Sequence, residues 1–398
     1  MIYLDNAATT QIAPEVLEAM MPYLTDEFGN AGSLYALGRR AAQAVAKARK
    51  QVADCIGAQP EQIIFTSGGT EANNLVFKGL ASYLKSQNKT HLITTKVEHD
   101  SVLNTVKEMN IKHGFDVSYL DVNDIWQKPT GVATGLREAI NKKTGLVSMM
   151  YVNNEIGTVN NIQEACELAH EYGVLFHTDC VQALGDIDID VNQLGCDFLS
   201  ISSHKIHGAK GVGALYVKNP TLLCPLITGG EDQEFGIRGG TENVASIVGF
   251  GKACEMIKQN IQERRKRILS LKRLFFDTLC NALIEYGLED LACFYNGVSP
   301  LRNGKILNLR FKDIDAQTLV LYLDTRGICV SAGSACRSHE SKPSPVLLAI
   351  GLTPDEARSS VRFSFSHYLT DEQVFNAAKE TALVIRALGK QVGGGLNG

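Results

Sequence analysis

Two glycines and a threonine follow a short apolar segment early in the chain. Residues 63–67 have the apolar character of a buried strand, Gly68 and Gly69 turn the chain, and a helix is predicted to begin at Thr70. Glycine backbone N–H groups and a helix N-terminus attract anions, and Thr70 adds a hydroxyl. The segment could therefore bind a phosphate group, or it could be an ordinary glycine turn with a threonine cap.

Two charged residues lie at the ends of predicted strands. Asp179 follows an apolar segment, at the edge where open α/β sheets bind ligands, and it could pair with a cationic ring nitrogen, bind a metal or cap a helix. Lys205 follows the apolar segment 197–203, and a lysine in a cleft there could form a Schiff base. Ser202 and His204 are candidate phosphate donors beside it. The alternative is that Lys205 is a surface lysine.

The order of these segments matches what pyridoxal 5'-phosphate requires. A phosphate-binding turn comes first, Asp179 follows, and Lys205 lies 26 residues later. The phosphate would lie at the helix N-terminus, Asp179 would keep the pyridine nitrogen protonated, and Lys205 would form the Schiff base. The sequence therefore predicts pyridoxal 5'-phosphate as the cofactor.

The elements that position these residues alternate between helix and strand from about residue 14 to 250. Strand–helix alternation predicts an α/β fold with a mainly parallel sheet and helices on both faces. The elements predicted within this region include strands at 146–154, 173–179 and 197–203 and helices at 41–56, 134–142 and 162–172.

A different pattern begins near residue 258. A long basic amphipathic helix is followed by segments that predict a smaller α+β domain. We interpret the basic run as the solvated face of a domain-linking helix rather than as a nucleic-acid patch. The predicted domains are a large one at 14–257 and a small one formed by 1–13 and 258–398, with a loop at about 330–345.

Composition restricts the class of protein. The 398 residues are 44% apolar and 21% charged, which excludes a disordered chain, a fibre and a coiled coil. The net charge of −4 gives no global basic balance, so we expect no direct nucleic-acid binding. No apolar run approaches the roughly 20 residues of a membrane span, and the first ten residues do not look like a signal peptide. We therefore expect a cytoplasmic protein that does not bind membranes.

The sequence resembles the NifS/IscS group of cysteine desulfurases, within the class V aminotransferase superfamily of fold-type I pyridoxal-phosphate enzymes. The resemblance covers nearly the whole chain, from residue 3 to residue 366. It rests on the motifs FTSGGTEANN (65–74), VEHDSVLNT (97–105), YVNNEIGT (151–158), FHTDCVQALG (176–185), SSHKIHGAKGVGALYV (202–217), RGGTENV (238–244) and SAGSACRS (331–338).

The resemblance implies chemical roles for residues of these motifs. His99 would stack on the pyridine ring and help to move protons, and Thr241 would reach the phosphate of the neighbouring subunit in a homodimer. Arg362 would bind the substrate carboxylate through its guanidinium fork, unless it forms a surface ion pair. The implied sites are catalytic Lys205, Cys336 and His99; cofactor-binding Gly69, Thr70, Asn154, Asp179, Gln182, Ser202, His204 and Thr241; and substrate-binding Arg362 and Asn154.

Cys336 differs from the other nine cysteines in its surroundings. It lies among Gly, Ser and Ala residues, which predict a loop, and a loop thiol can ionise and attack the sulfur of a bound cysteine. The other cysteines form no CxxC pair and no zinc-finger spacing, so we expect no metal site and mostly core positions. Cys329 is predicted to be a structural strand residue.

The implied activity converts L-cysteine to L-alanine and leaves the sulfur on Cys336 as a persulfide. The sulfur would then pass to an acceptor protein, such as an iron–sulfur scaffold, a tRNA-thiolation protein or a DNA-sulfur-modification protein. A selenocysteine lyase, or another class V aminotransferase or lyase, is the alternative enzyme; an aminotransferase would need no loop cysteine. A scaffold without enzymatic activity is the third interpretation, which the joint presence of Lys205, Asp179 and Cys336 disfavours.

Overall fold

The computed structural model describes residues 1–121, 131–288, 293–295, 304–332 and 343–393. The chain forms two compact units. The first unit comprises Met1–Thr9, Asn153–Val159 and Gln262–Gly398, and the second comprises Thr10–Val152 and Asn160–Ile261. The predicted large domain at 14–257 includes residues 153–159, whereas in the structure these residues group with the first unit. The domain ranges themselves remain a prediction.

The described residues form helices and strands over most of their length. The helices are α1 (Pro14–Leu24), α2 (Ala36–Ile56), α3 (Gly69–Ser86), α4 (Asp100–His113), α5 (Gly131–Ala139), α6 (Ile162–Glu171), α7 (Val191–Leu194), α8 (Val244–Glu285), α9 (Ala316–Thr325), α10 (Pro345–Ala349), α11 (Pro354–Arg358) and α12 (Asp371–Gly393). The strands are β1 (Ile2–Tyr3), β2 (Ile63–Thr66), β3 (His91–Thr95), β4 (Asp116–Leu120), β5 (Thr144–Ser148), β6 (Leu175–Asp179), β7 (Phe198–Ser202), β8 (Gly213–Val217), β9 (Cys293–Tyr295), β10 (Ile306–Phe311), β11 (Ile328–Cys329), β12 (Ser331–Ala332) and β13 (Ser360–Ser364).

A seven-stranded sheet forms the centre of the second unit. Its strand order is β2-β8-β7-β6-β5-β3-β4. Neighbours from β7 to β4 pair in parallel, whereas β8 runs antiparallel to both β7 and β2. Strands β2, β3, β5, β7 and β8 are buried at every residue, as expected for a sheet with both faces covered. The predicted α/β class with a mainly parallel sheet is confirmed.

Helix α3 packs its apolar face into this unit. Leu75, Val76 and Leu80 recur at helical spacing and are buried together with strand residues such as Ile64 and Leu215. The packing holds the N-terminus of α3 beside the carboxyl ends of the parallel strands, because α3 follows β2 after only two residues.

Two element boundaries differ from the sequence-based prediction. Strand β5 ends at Ser148 rather than at 154, although the N–H groups of Met149 and Tyr151 still donate to carbonyls of β6. Helix α8 begins at Val244, well before the predicted 258, and contains a non-helical residue at Asn260. The basic amphipathic stretch is therefore the second half of a longer helix.

The first unit contains a second sheet and a separate core. Its four-stranded sheet has the order β12-β13-β10-β9 with antiparallel pairing, and β1 pairs in parallel with β11. Phe275 of α8 packs against Phe363 and Phe365, with ring centroids 4.7 and 5.6 Å apart. Helices packed on an antiparallel sheet agree with the predicted α+β character. Among the described helices, none has the length and apolar content needed to cross a membrane.

Candidate active site

Two successive positions at the start of α3 favour glycine, one for its backbone angle and one for lack of space. Gly68 has φ +152°, a backbone angle that side chains rarely permit, and Gly69 is the first residue of α3. A Cβ atom on Gly69 would lie 2.5 Å from a Val181 methyl carbon, closer than packing allows. The backbone N–H groups at the start of α3 thus stay accessible to an anion. Thr70 follows in the first turn and is exposed.

Ser202 brings a buried hydroxyl to the same place. It ends β7, is 1% exposed, and its Oγ has no hydrogen-bond partner among the described residues. This Oγ lies 3.8 Å from the position that a Cβ on Gly68 would occupy. Since a buried unpaired hydroxyl costs about 1–3 kcal/mol, the position favours a bound polar group. The orphaned hydroxyl and the glycine turn together fit a phosphate.

His204 and Lys205 lie directly after this strand, in a short 3-10 helix, and both are half-buried. Thr10 fixes the backbone of this segment. Its N–H and its hydroxyl both donate to the His204 carbonyl at 2.9 Å, and its Oγ1 accepts from the His207 N–H at 2.8 Å. Thr10 was not predicted from sequence as a site residue, because its partners are almost 200 positions away.

Asp179 ends the neighbouring strand β6 with its carboxylate held at both oxygens. Its Oδ1 accepts from the Val181 N–H at 2.9 Å, and its Oδ2 accepts from Asn73 Nδ2 at 2.8 Å. The residue is 4% exposed. Gln182 is buried three residues later, in the turn that follows the strand. A fixed, buried carboxylate of this kind suits a protonated ring nitrogen as its partner.

His99 caps the N-terminus of α4. Its Nδ1 accepts from the Ser101 N–H at 3.1 Å and lies 2.8 Å from Ser101 Oγ. The Ser101 Oγ in turn accepts from Asn73 Nδ2 at 2.8 Å. His99 is exposed in this chain, whereas Asn73 and Ser101 are buried. The structure thus connects two predicted site residues, His99 and Asp179, through two residues that were not predicted.

Glu98 is a buried acid next to these residues. Its Oε1 accepts from the Thr95 hydroxyl at 2.6 Å and from the Met150 N–H at 3.0 Å. Burial, with a contribution from the negative charge of Asp179, raises the pKa of Glu98 to about 8. Glu98 is therefore mostly protonated and uncharged at neutral pH, so it does not place a second negative charge beside Asp179.

Two ion pairs anchor the segment that leads to Thr241. Arg238 Nε contacts Glu71 Oε1 at 3.0 Å, in the first turn of α3. Arg49 pairs with both carboxylate oxygens of Glu234, at 2.6 and 2.8 Å. Thr241 itself is exposed. Its predicted contact with a neighbouring subunit stays a prediction.

The residues expected to bind the substrate carboxylate lie in the first unit. Arg362, in β13, is 7% exposed; its Nη1 donates to the Asn154 carbonyl at 2.8 Å, and its Nη2 pairs with Asp5 at 2.9 Å. Arg362 is therefore a buried, oriented ion-pair partner and not a surface arginine. The Asn154 contact runs through its backbone carbonyl.

Cys336 lies outside the described residues. Of the eight cysteines whose side chains are described, none is in a disulfide, and burial raises the pKa values of Cys166, Cys180, Cys196 and Cys254. Such thiols are poor nucleophiles at neutral pH. Cys224 is exposed, unlike the predicted core cysteines. Over the described part of the chain, no group of three or more His, Cys, Asp or Glu residues is placed to hold a metal ion.

Comparison with known proteins agrees with this geometry. Residues 2–376 match the Aminotransferase class-V family. "Cysteine desulfurase IscS" of Dictyoglomus turgidum is 42% identical over 373 residues, which is 94% of this chain and 91% of the relative. A solved structure titled "NIFS-LIKE PROTEIN" has a TM-score of 0.86 and 31% identity, covering 97% of this chain and 100% of that one. Another, "SspA in complex with cysteine", has a TM-score of 0.76 and 35% identity, covering 93% and 100%.

The family match covers nearly the whole chain. It agrees with the fold, in which a glycine turn, the held carboxylate of Asp179 and Lys205 all follow strand ends. The chain belongs to the class-V aminotransferase family, and within it to the cysteine desulfurases of the NifS/IscS group.

Proposed function

We propose that this protein removes sulfur from L-cysteine with the help of pyridoxal 5'-phosphate, releases L-alanine, and carries the sulfur on Cys336. One observation carries the proposal. Asp179 and Ser202 end the adjacent parallel strands β6 and β7, Lys205 follows within three residues, and the Ser202 hydroxyl is buried without a partner among the described residues. This arrangement supplies an anchor for each end of the cofactor and a lysine that follows both anchors in the sequence.

The residues proposed to hold the cofactor follow from this arrangement. When bound, pyridoxal 5'-phosphate draws electrons away from the α-carbon of an amino acid. Asp179 would bind the ring nitrogen, while the α3 N-terminus and Ser202 would bind the phosphate. The full proposed set is Gly69, Thr70, Asn154, Asp179, Gln182, Ser202, His204 and, from the neighbouring subunit of a homodimer, Thr241.

The proposed roles of the chain's own residues cover binding and proton movement. Arg362 would bind the carboxylate of L-cysteine, because Asp5 and the Asn154 carbonyl already orient its guanidinium. Lys205 would hold the cofactor covalently and, once released, move the proton from the substrate α-carbon. His99 would help to move the proton that completes L-alanine.

Sulfur transfer would occur at Cys336. Its thiolate attacks the substrate Sγ, a sulfur–sulfur bond forms, and the carbon–sulfur bond breaks with its electrons staying on carbon. Protonation of that carbon gives L-alanine, and Cys336 is left as a persulfide. An acceptor protein then takes the sulfur. The three acceptor classes are an iron–sulfur scaffold, a tRNA-thiolation protein and a DNA-sulfur-modification protein, and the proposed location is the cytoplasm.

The test is anaerobic incubation of the holoenzyme with L-cysteine and dithiothreitol, with L-alanine and sulfide both quantified. We expect equal amounts of the two products, and loss of both in Cys336→Ser and in Lys205→Ala. Cys224→Ser is the matched control, because Cys224 is an exposed cysteine that lies outside the proposed site. Full sulfide release by Cys336→Ser would refute the proposed nucleophile.

Two further outcomes would favour the alternative enzymes. Keto-acid-dependent amino transfer that survives Cys336→Ser would indicate an aminotransferase. Release of L-alanine from selenocysteine alone, with none from L-cysteine, would indicate a selenocysteine lyase. Reduction of the holoenzyme with borohydride, followed by peptide mass spectrometry, would check attachment of the cofactor to Lys205 separately.

A further inference from the structure

A continuous chain of hydrogen bonds joins the carboxylate of Asp179 to the imidazole ring of His99. Asn73 Nδ2 lies 2.8 Å from Asp179 Oδ2 and 2.8 Å from Ser101 Oγ. Ser101 Oγ lies 2.8 Å from His99 Nδ1, and the Ser101 backbone N–H donates to the same Nδ1 at 3.1 Å. Asn73 is 1% exposed and Ser101 is 9% exposed, so water competes little for these contacts.

The donor and acceptor capacity of each group fixes where the protons lie. The amide nitrogen of Asn73 carries two hydrogens and accepts none, so it donates to both Asp179 and Ser101. The amide oxygen of Asn73 is buried without a partner among the described residues; exchanging it with the nitrogen would set it against the Asp179 carboxylate. The orientation with nitrogen towards Asp179 is therefore the favourable one.

The orientation of the Asn73 amide also fixes which way the hydrogen bond between Ser101 and His99 runs. Because Ser101 Oγ accepts from Asn73, its single hydrogen is available for His99 Nδ1. Nδ1 then accepts two hydrogen bonds, one from the hydroxyl and one from the backbone N–H. A nitrogen that accepts cannot carry a hydrogen, so the neutral ring carries its proton on Nε2.

We propose that Asn73 and Ser101 are positioning residues that hold His99 in the Nε2–H form and tie its ring to Asp179. The inference rests on the proposed function only for the use of that proton. In the proposed reaction, the neutral ring offers an N–H donor at Nε2 and no unoccupied lone pair. Asn73 and Ser101 thereby link the residue proposed to bind the ring nitrogen with the residue proposed to stack on the ring.

The first experiment reads the tautomer directly, in cofactor-free protein with 15N-labelled histidine. Imidazole 15N shifts distinguish Nδ1–H from Nε2–H, and the signal of His99 is assigned by its absence in His99→Gln. We expect the neutral His99 ring of the wild type in the Nε2–H form, and a measurable Nδ1–H fraction in Ser101→Ala and Asn73→Ala. Asn74→Ala is the matched control, because Asn74 is half-buried and, among the described residues, donates to the Thr70 carbonyl rather than to Asp179 or Ser101.

An Nδ1–H ring in the wild type would overturn the proposal, and so would a tautomer that is identical in the wild type and both variants. The wild-type measurement needs no substitution at Asn73 or Ser101, so it decides the matter even where one of these two variants fails to fold.

The second experiment measures coupling in the holoenzyme. Loss of one hydrogen bond to His99 should lower kcat about tenfold in Ser101→Ala with the KM for L-cysteine nearly unchanged. Ser101→Thr, which keeps the hydroxyl, should recover most of the rate. In a His99→Gln background, Ser101→Ala should have no further effect. Additive losses in the double variant would contradict the proposed link.

The two proposals fail in different ways. An enzyme that desulfurates L-cysteine but has His99 in the Nδ1–H form refutes the positioning role alone. A protein that has the Nε2–H ring but releases no L-alanine refutes the proposed function and leaves the positioning role intact.

Discussion

Replacing Glu98 with glutamine should change how stability depends on pH. The amide oxygen of glutamine can accept the same hydrogen bonds, from the Thr95 hydroxyl and the Met150 N–H. The second carboxylate oxygen, Oε2, is buried and has no partner among the described residues, so the new amide group loses no hydrogen bond that Glu98 makes there. The main change is that residue 98 can no longer ionise.

The size of the effect follows from the pKa of Glu98 in the folded protein. It is raised from 4.5 to about 8, so between these values the folded protein binds a proton that the unfolded chain lacks. The free energy of unfolding of the wild type therefore falls as pH rises through this window, by about 1.4 kcal/mol per pH unit. Between about pH 5 and pH 8 the Glu98→Gln variant should gain about 3 to 4 kcal/mol relative to the wild type.

The assay is urea unfolding of cofactor-free protein at the two pH values, comparing midpoints and slopes. All other titrating groups, including the buried His177, are the same in both proteins and cancel in the difference. Glu61→Gln is the control, since Glu61 is exposed. Equal pH dependence in wild type and Glu98→Gln would refute the reasoning, because it would mean that Glu98 gains no proton on folding.

Three other substitutions test separate parts of the structure. Ser202→Ala should weaken binding of pyridoxal 5'-phosphate roughly tenfold in equilibrium dialysis. The urea midpoint of the cofactor-free protein should not change, because Ser202 Oγ has no protein partner among the described residues. Unchanged affinity would contradict the proposed phosphate contact. Asp5→Ala should raise the KM for L-cysteine about tenfold with little change in kcat, because Arg362 loses the carboxylate that orients it; an unchanged KM would count against that role. Burial lowers the pKa of His177 to about 3, so the free energy of unfolding of the wild type should fall as pH drops from 6.5 towards 3. His177→Gln should lose less stability over this range. Equal acid sensitivity of the two proteins in urea unfolding would argue against a buried neutral ring.

The sheet of the second unit was predictable because its signals are local. Short apolar strands alternate with amphipathic helices, and this pattern by itself requires parallel strands with crossover connections. The antiparallel direction of β8 was not predictable from the same pattern. The strand is as apolar as its neighbours, and its direction depends on the short connection after β7, which carries Lys205.

The site was predictable where a polar residue ends an apolar strand, as Asp179 and Ser202 do. Asn73 and Ser101 gave no such signal, because a polar residue in the first turns of a helix is usually exposed. Asn73 and Asn74 are adjacent and chemically identical, yet the first is buried against Asp179 and the second is half-buried and donates to the Thr70 carbonyl. The difference comes from tertiary contacts that span 28 and 106 positions, which local patterns do not contain.

The division of the first unit into three stretches of chain has a consequence for synthesis on the ribosome. Residues 10–261, apart from the segment 153–159, form the second unit, so that unit can fold once residue 261 has emerged. Strand β1 can pair only after residue 328 has been synthesised, because Ile2 pairs with Ile328. Until then this strand, and the first unit to which it belongs, remain without their native partners. Completion of the first unit, with its very distant pairing, should therefore be the slow step in producing the folded protein.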